Sequence, residues 1–266
     1  MLPIHPSAEI ITFGRELLIG NTLNTNGSWL ARQLTSSSIL VTRISVVGDS
    51  VSEISLAFEE CLERSPSIVI TTGGLVSTYD DLTPEGLSSA LRLPKEVNES
   101  AMKSLQERYA SQNLEMTPER RKMAMMPVGA IALPNQEGAA PGLQIRQNST
   151  LIFCLPGVPK EMMAMFGKVH SVIKTNFPIQ DFRERSFLVE GIRESSLAPY
   201  MNDWVRAHPL VYLKSHPGGT ESSPLLRIHL SSMGDADTIE KLLSRAEESF
   251  SKIAVKAGGR VRRQDS

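Results

Sequence analysis

The residues that could do chemistry in this sequence are two glycines and two adjacent carboxylates, which follow a short apolar stretch at residues 68–70. Gly73 and Gly74 leave the backbone bare, so a phosphate could approach it closely. Asp80 and Asp81 could bind Mg²⁺, which proteins usually hold through one or two carboxylates together with substrate phosphates. The β-branched stretch before them is typical of a buried strand. A tight turn followed by a solvated loop is the alternative interpretation of the glycine pair.

The elements that flank these residues would place them at the edge of an α/β sheet. Thr83 is a favoured N-cap and Pro84 suits the first helical position, so a helix is predicted to begin there. Open α/β sheets bind ligands at the carboxyl ends of their strands. Asp49 follows another predicted strand, residues 39–47, and parallel neighbouring strands would bring all three carboxylates to one edge. By itself, Asp49 would only be a favourable charge at a helix N-terminus.

Two more strand-to-helix turns are predicted, after residues 8–13 and after residues 150–155. In the first turn Glu16 and Asn24 could face a ligand, although both residue types are more common as caps or turn residues. The second turn opens at Gly157. Because all these strands belong to one predicted sheet, the turns are expected on the same side of it.

The order of the elements predicts two domains. Strands and helices alternate over residues 1–176, which predicts an α/β domain with a mostly parallel sheet. Residues 177–260 have a β-α-β-β-α order, which predicts a small α+β domain with helices on one sheet face. Within it, residues 215–220 are expected to connect two strands of a hairpin, with a ligand contact as the alternative. The basic end, residues 261–266, is expected to be a frayed tail.

Composition limits the possible classes of protein. The chain has 266 residues, of which 41% are hydrophobic, and a net charge of −1 at pH 7. Nothing in this charge favours nucleic acid or an acidic membrane as a partner. There is no apolar stretch of membrane-spanning length and no recognisable signal peptide, so a cytoplasmic location is expected. Cys61 and Cys154 lie in apolar patterns and are predicted to be reduced core residues, and the five histidines are scattered.

The turns taken together resemble the N-terminal part of the competence/damage-inducible CinA family. Six stretches carry the resemblance in the family's order, over about residues 8–173. They are GRELLIG at 14–20, NTN at 24–26, VGD at 47–49, TGGL at 72–75 with DDLT at 80–83, MTP at 116–118 and LPGVPKEM at 155–162. The residues after Phe182 are similar to the KH-like domain that follows in that family.

The resemblance implies a three-layer molybdopterin-binding-like (MoCF) fold with a pocket at the strand ends. It also implies metal-dependent ADP-ribose pyrophosphatase activity, with Mg²⁺ or Co²⁺ as cofactor and a nucleotide or pterin as the small-molecule substrate. Asp49 and Asp81 match the family's acidic positions and are expected to bind the metal and act in catalysis. The residues expected to contact the substrate or its phosphates are Gly14, Arg15, Glu16, Asn24, Gly73, Gly74, Asp80, Thr83 and Gly157. A homo-oligomer, such as a dimer, is expected.

Three departures from the family pattern affect the expected site. Arg15 stands where the family usually has Thr, Val76-Ser77 where it has Gly-Pro, and Val158 where it has Pro. Val76 places a β-branched side chain in a turn that expects glycine, which would reshape the phosphate loop. Arg15 would offset this through a charged contact to phosphate. Full-length CinA proteins also have a C-terminal amidohydrolase domain that this sequence lacks, so deamidation of nicotinamide mononucleotide is not expected.

Three functions are therefore open on the sequence. The first is metal-dependent hydrolysis of a nucleoside diphosphate-linked molecule such as ADP-ribose. The second is a molybdopterin-binding protein of the adenylyltransferase type, which shares the glycine signature but not the CinA-like stretches. The third is a nucleotide-binding module without catalysis, which Arg15 and Val76 would favour.

Overall fold

The computed structural model describes residues 6–263 and contains two compact units. The first unit comprises the described residues up to Thr35 together with Ile39–Pro178. The second comprises Ser36–Ser38 and the described residues from Ile179 onward. The prediction of an α/β fold with a mostly parallel sheet, followed by a small α+β fold, is confirmed. No helix within residues 6–263 is both long enough and apolar enough to cross a membrane.

The first unit is built on a six-stranded sheet and a short antiparallel pair. Its strands are β1 (Ser7–Phe13), β2 (Leu40–Val47), β3 (Ile68–Thr72), β4 (Lys95–Val97), β5 (Met125–Pro127), β6 (Ile131–Leu133), β7 (Gly142–Gln147) and β8 (Thr150–Leu155). The large sheet has the order β2-β1-β3-β8-β7-β6, and β4 pairs with β5. β2, β1, β3 and β8 are parallel, whereas β7 and β6 continue the sheet in antiparallel pairs.

Seven helices connect these strands and cover the sheet in the described part of the first unit. They are α1 (Arg15–Leu18), α2 (Thr25–Ser36), α3 (Val51–Glu63), α4 (Thr83–Leu91), α5 (Glu99–Ser111), α6 (Pro118–Lys122) and α7 (Pro159–Asn176). In the longer helices, apolar residues at helical spacing form the buried face. In α3 these residues are Ile54, Phe58 and Cys61. α2 contacts α7 where Trp29 meets Phe166 edge-on, with ring centroids 5.2 Å apart.

The centre of the sheet is completely buried, as a parallel sheet covered on both faces must be. Every residue of β3 and β8 is buried. Cys154 lies on β8 and Cys61 on α3, and both thiols are free, as predicted. Burial raises the pKa of each thiol to about 12, which leaves both protonated and unreactive at neutral pH.

A buried ion pair ties β1 to the end of α3. The Glu9 carboxylate, with the residue only 3% exposed, accepts hydrogen bonds from Nε and Nη2 of Arg64, each at 2.7 Å. Burial by itself raises the pKa of Glu9, but the hydrogen bonds and charge of Arg64 outweigh it and hold that pKa below its usual range. Arg64 therefore makes the main contribution to keeping this buried carboxylate charged, with smaller contributions from Cys61 and Arg43.

The second unit consists of an antiparallel sheet and two helices. Its strands are β9 (Asp181–Glu190), β10 (Tyr212–Thr220), β11 (Ser223–Gly234) and β12 (Arg260–Arg263), in the order β10-β11-β9-β12. The helices are α8 (Glu194–Ala207) and α9 (Ala236–Lys256). Phe187 and Leu226 of the sheet share an apolar core with Trp204 of α8 and Phe250 of α9. The helices therefore cover one face of this sheet, as predicted.

Two predictions for the second unit are wrong in detail. Residues 215–220 are predicted to be a connection, but they belong to β10, and the chain reverses only after Thr220. The tail is predicted to begin at residue 261, but Arg260–Arg263 pairs with β9 as β12. Both segments lack the apolar alternation that identifies a strand in a sequence. They are strands nevertheless, because hydrogen bonds to a neighbouring strand hold them. Residues 264–266 of the predicted tail lie outside the described residues.

Candidate functional site

The first residue of α4 stabilises the glycine turn after β3 through hydrogen bonds. Gly73 has a φ of +109° and Gly74 a φ of +68°, conformations that side-chain-bearing residues rarely adopt. Thr83 is fully buried; its hydroxyl donates to the Gly73 carbonyl at 2.8 Å and its N–H donates to the Gly74 carbonyl at 3.1 Å. Leu82, and not Thr83, is the N-cap of α4. Thr83 is predicted to cap the helix, but the structure places its hydroxyl on the glycine turn; its contact with the substrate stays a prediction.

Close backbone packing explains why glycine occupies this turn. A Cβ on Gly73 would lie 2.5 Å from the carbonyl oxygen of Phe13, the last residue of β1. A Cβ on Gly157, after β8, would lie 3.3 Å from Cα of Gly73. The Gly73 N–H also donates to the Leu155 carbonyl at 3.0 Å. The ends of β1, β3 and β8 are therefore in direct contact.

Amides and hydroxyls form a second polar cluster beside this turn. Asn26 donates through Nδ2 to the Thr72 hydroxyl at 3.0 Å and to the Gly157 carbonyl at 2.8 Å. Asn24 donates through Nδ2 to the Thr12 hydroxyl at 3.0 Å, and its Oδ1 caps α2 by accepting from the Gly27 N–H at 2.9 Å. The start of α2 is thus tied to the ends of β1, β3 and β8.

These residues line a pocket of about 120 Å³, which we call the asparagine pocket. Its polar lining includes Thr12, Glu16, Asn24, Asn26, Thr72 and the Gly157 backbone. Oδ1 of Asn26 is buried and has no hydrogen-bond partner among the described residues. Asn26, a lining residue, therefore carries one buried acceptor that the described residues leave unpaired, which is costly unless a donor approaches.

A larger cleft of about 560 Å³, which we call the acidic cleft, lies at the ends of β1 and β2. Asp49, Asp80 and Glu53 line it together with Arg15 and Tyr79. Oδ2 of Asp49 accepts a hydrogen bond of 2.8 Å from the backbone N–H of Arg15, which orients that carboxylate. The cleft therefore combines three carboxylates with one guanidinium.

The short helix α1 separates the two cavities. Arg15 and Leu18 of α1 line the acidic cleft, and Glu16 and Leu17 of the same helix line the asparagine pocket. Gly14, immediately before α1, donates through its N–H to the Val47 carbonyl at 3.1 Å and so joins the ends of β1 and β2. A ligand that spans α1 could therefore contact both cavities at once.

The Asp81 carboxylate accepts hydrogen bonds within its own loop. Its Oδ2 accepts from the backbone N–H of Thr78 at 3.0 Å and also from the Thr78 hydroxyl. Nζ of Lys122 donates to the Asp81 carbonyl at 2.8 Å and to the Thr78 carbonyl at 3.3 Å. Asp80, its neighbour, lines the acidic cleft beside Asp49, and Asp81 is not among the lining residues. The pairing of Asp49 with Asp81 on a metal stays a prediction.

Two carboxylates of the cleft could contribute to a metal site but not complete one. Within residues 6–263 no group of three or more His, Cys, Asp or Glu side chains is arranged to hold a metal ion. Asp49 and Asp80 suit Mg²⁺ only in the mode in which substrate phosphates and water supply the remaining oxygen ligands.

Val76 and Arg15, which differ from the family pattern, both have a defined place in the structure. Val76 is not among the described non-glycine residues with positive φ and is 39% exposed, so its side chain causes no backbone strain. Arg15 begins α1 at the acidic cleft. Sequence reasoning does not single out Asn26, Glu53 or Tyr79 as site residues. The position of Asn26, two residues after Asn24, could have indicated it as a site residue. Nothing in the sequence indicates Glu53 or Tyr79.

Comparison with known proteins gives consistent results. Residues 9–175 match the family described as "probable molybdopterin binding domain". A protein from Sulfurisphaera tokodaii is 44% identical over 256 residues, covering 96% of this chain and 97% of its own length. One from Pyrobaculum calidifontis is 43% identical over 261 residues, covering 94% and 99%. The solved structure of CinA from Thermoplasma acidophilum, described as of unknown function, is 36% identical with a TM-score of 0.59, covering 63% of this chain and 98% of its own.

Proposed function

The chain belongs to the family of the probable molybdopterin binding domain, and on this premise we propose that its first unit binds a phosphate-bearing pterin such as molybdopterin. The observation that carries the proposal is the pair of cavities on either side of α1, within the residues that match the family. A pterin ring offers several N–H donors and ring acceptors, and its phosphate offers charge. One cavity supplies amides, hydroxyls and the Glu16 carboxylate, and the other supplies a guanidinium.

The asparagine pocket suits the ring. Asn24 and Asn26 are oriented by Thr12 and Thr72, so their amides are held in place before a ligand arrives. Oδ1 of Asn26 would gain a donor from a ring N–H, which removes the cost of an unpaired buried acceptor.

The acidic cleft suits the phosphate when a divalent cation accompanies it. Arg15 could contact a phosphate oxygen directly, and Asp49 and Asp80 could hold Mg²⁺ or Co²⁺ together with that phosphate. A bound divalent cation would neutralise phosphate charge and polarise a phosphoryl oxygen. Asp49 keeps its orientation because the backbone N–H of Arg15 donates to it at 2.8 Å.

Arg15→Ala is expected to weaken binding of the phosphate-bearing pterin about ten- to a hundredfold, because a hydrogen bond to a charged group contributes about 1.5–3 kcal/mol. Anaerobic calorimetric titration with molybdopterin in the presence of Mg²⁺ measures the affinity. Arg32→Ala is the matched control, since Arg32 is an exposed arginine of α2 that lines neither cavity. Equal affinity of the Arg15→Ala protein and the wild type would remove Arg15 from the site, and no binding by the wild type would overturn the proposal.

A second candidate function is metal-dependent hydrolysis of a nucleoside diphosphate-linked molecule such as ADP-ribose. The observation that favours it is the grouping of Asp49, Asp80 and Glu53 in one cleft. One carboxylate could hold the cation while another accepts a proton from the attacking water. The transfer of adenylate from ATP to molybdopterin is the third candidate, and it needs the pterin site of the main proposal as well.

Asp49→Asn and Asp80→Asn are each expected to lower a divalent-metal-dependent release of AMP from ADP-ribose by roughly ten- to a hundredfold. Asp81→Asn is expected to have a smaller effect, since that carboxylate is bonded to Thr78. Chromatography of AMP with Mg²⁺ or Co²⁺ provides the measurement, and Glu63→Gln, an exposed residue at the end of α3, is the control. Wild-type protein that releases no AMP with either metal would exclude hydrolysis and leave binding or adenylate transfer.

A further inference from the structure

One turn presents two side chains to the acidic cleft. The backbone N–H of Asp81 donates to the Thr78 carbonyl at 3.3 Å, so residues 78–81 form a β-turn with Tyr79 and Asp80 at its centre. Both central residues line the cleft, and Tyr79 is 91% exposed. The position of the Asp80 carboxylate in the cleft therefore depends on the conformation of this turn, which we call the cleft turn.

The side chain of Asp81 stabilises the cleft turn from within. Its Oδ2 accepts hydrogen bonds from the Thr78 N–H at 3.0 Å and from the Thr78 hydroxyl. Aspartate side chains commonly stabilise turns by bonding to a backbone N–H a few residues away. The Asp81 carboxylate therefore holds the two ends of the turn together, while the Asp80 carboxylate remains available to the cleft.

Lys122 stabilises the cleft turn from outside. Its Nζ donates to the Asp81 carbonyl at 2.8 Å and to the Thr78 carbonyl at 3.3 Å, and these are the last and first residues of the turn. A hydrogen bond from a charged donor is stronger than one between two neutral groups. Lys122 therefore fixes both ends of the turn at once.

The chain around Lys122 gives this lysine a defined position. Lys122 is the last residue of α6, and the next two residues, Met123 and Ala124, are buried in the apolar core of the first unit. The guanidinium of Arg120 in α6 lies over the Tyr109 ring of α5, 4.3 Å from its centroid. Lys122 is not among the residues that line the acidic cleft, so it acts on the turn rather than on a ligand in the cleft.

We propose that Lys122 and Asp81 are positioning residues, which keep the cleft turn in the conformation that directs Asp80 into the acidic cleft. This inference rests on the proposed function, in which Asp80 holds the divalent cation that accompanies the phosphate of the ligand. If the turn adopts other conformations, only the fraction of molecules with Asp80 in the cleft binds the cation, and the apparent affinity falls by that fraction. The turn is therefore a preformed part of the site.

Hydrogen–deuterium exchange of the unliganded full chain tests whether Lys122 holds the turn. The amides of Thr78 and Asp81 are both hydrogen-bonded within the turn, so a peptide that contains residues 76–82 reports on its opening. Lys122→Met should make this peptide exchange about tenfold faster, because two charge-assisted hydrogen bonds are lost. Lys122→Arg, which keeps the charge and the donors, should retain most of the protection.

Two controls accompany the exchange experiment. Arg121→Met removes an exposed cation from the same helix and should leave exchange of the turn peptide unchanged. Peptides from β3 and β8, which are completely buried, should exchange equally slowly in every variant, which would show that the fold is intact.

Calorimetric titration with molybdopterin tests whether the turn serves the site. In the presence of Mg²⁺, Lys122→Met should weaken binding about tenfold, since only part of the population then has Asp80 in the cleft. Lys122→Met added to Asp80→Asn should have little further effect, because Lys122 acts through Asp80. A lysine needed only for general stability would lower the affinity equally in both backgrounds.

Two results would overturn the positioning role. One is equal exchange of the turn peptide in the wild type and in Lys122→Met. The other is an equal loss of affinity in the wild-type and Asp80→Asn backgrounds, which would show that Lys122 acts independently of Asp80. A wild type that binds no molybdopterin contradicts the proposed function instead, and exchange of the turn peptide then decides by itself whether Lys122 holds the turn.

Discussion

Gly73→Ala is expected to destabilise the first unit by about 2–4 kcal/mol and to abolish ligand binding at its site. The added methyl group would lie 2.5 Å from the Phe13 carbonyl oxygen, which is backbone and cannot rotate away. The φ of +109° adds strain of its own, because alanine avoids that region. Relief of the clash would separate the ends of β1 and β3, on which both cavities depend. Urea unfolding gives the free energy, and calorimetric titration gives the change in binding.

Gly129→Ala is the matched control for that experiment. Gly129 belongs to the same unit and has a φ of +83°, but a Cβ there would find no atom within 4 Å. The control therefore isolates conformational strain, which costs about 1–2 kcal/mol for a left-handed residue, from the collision. If both substitutions cost the same free energy, packing against Phe13 is not what requires glycine at position 73.

Arg64→Met is expected to destabilise the protein by about 2–3 kcal/mol at pH 7, since it leaves the Glu9 carboxylate buried without its partner. The estimate is below that for a completely buried pair because the Arg64 side chain is 36% exposed and water screens it. The methionine retains most of the apolar volume of the arginine stem. Thermal or urea unfolding measures the change.

The pH dependence of the Arg64→Met effect follows from the sign of the pKa shift. In the wild type the pKa of Glu9 is lowered, so the ion pair contributes stability above the pKa of an unfolded-state glutamate and loses it as pH falls through the folded-state pKa. In the variant, burial without Arg64 favours the protonated acid. The difference in stability between the two proteins should therefore shrink as pH falls from 7 to about 4.

A second substitution tests the cause directly. Glu9→Gln in the Arg64→Met background removes the buried charge and should recover part of the stability. Lys103→Met is the control, since Lys103 pairs with Glu107 at 4.0 Å in an exposed position and should contribute under about 0.5 kcal/mol. A destabilisation by Arg64→Met that is independent of pH and unchanged by Glu9→Gln would attribute the effect to packing.

Much of the first unit could be predicted because its signals are local. Residues 68–70 and 150–155 are continuous apolar stretches, which identify the buried strands β3 and β8. The polar turns after them lie at the carboxyl ends of parallel strands, and this geometry brings Asp49 and Asp80 to one cleft. β7 is not predicted, because its alternation of apolar and polar residues is confined to Leu143–Arg146, which is too short to identify a strand in the sequence.

Residue type and spacing along the chain are enough to predict the fold class, the family resemblance and the edge of the sheet at which a ligand is expected to bind. Which of the two adjacent carboxylates faces the cleft depends instead on contacts that form in the folded chain. In the folded chain Asp80 lines the cleft, whereas Asp81 accepts a hydrogen bond from Thr78. Adjacent residues in a loop have no fixed periodicity, so their directions depend on contacts such as that of Lys122, about 40 residues away along the chain.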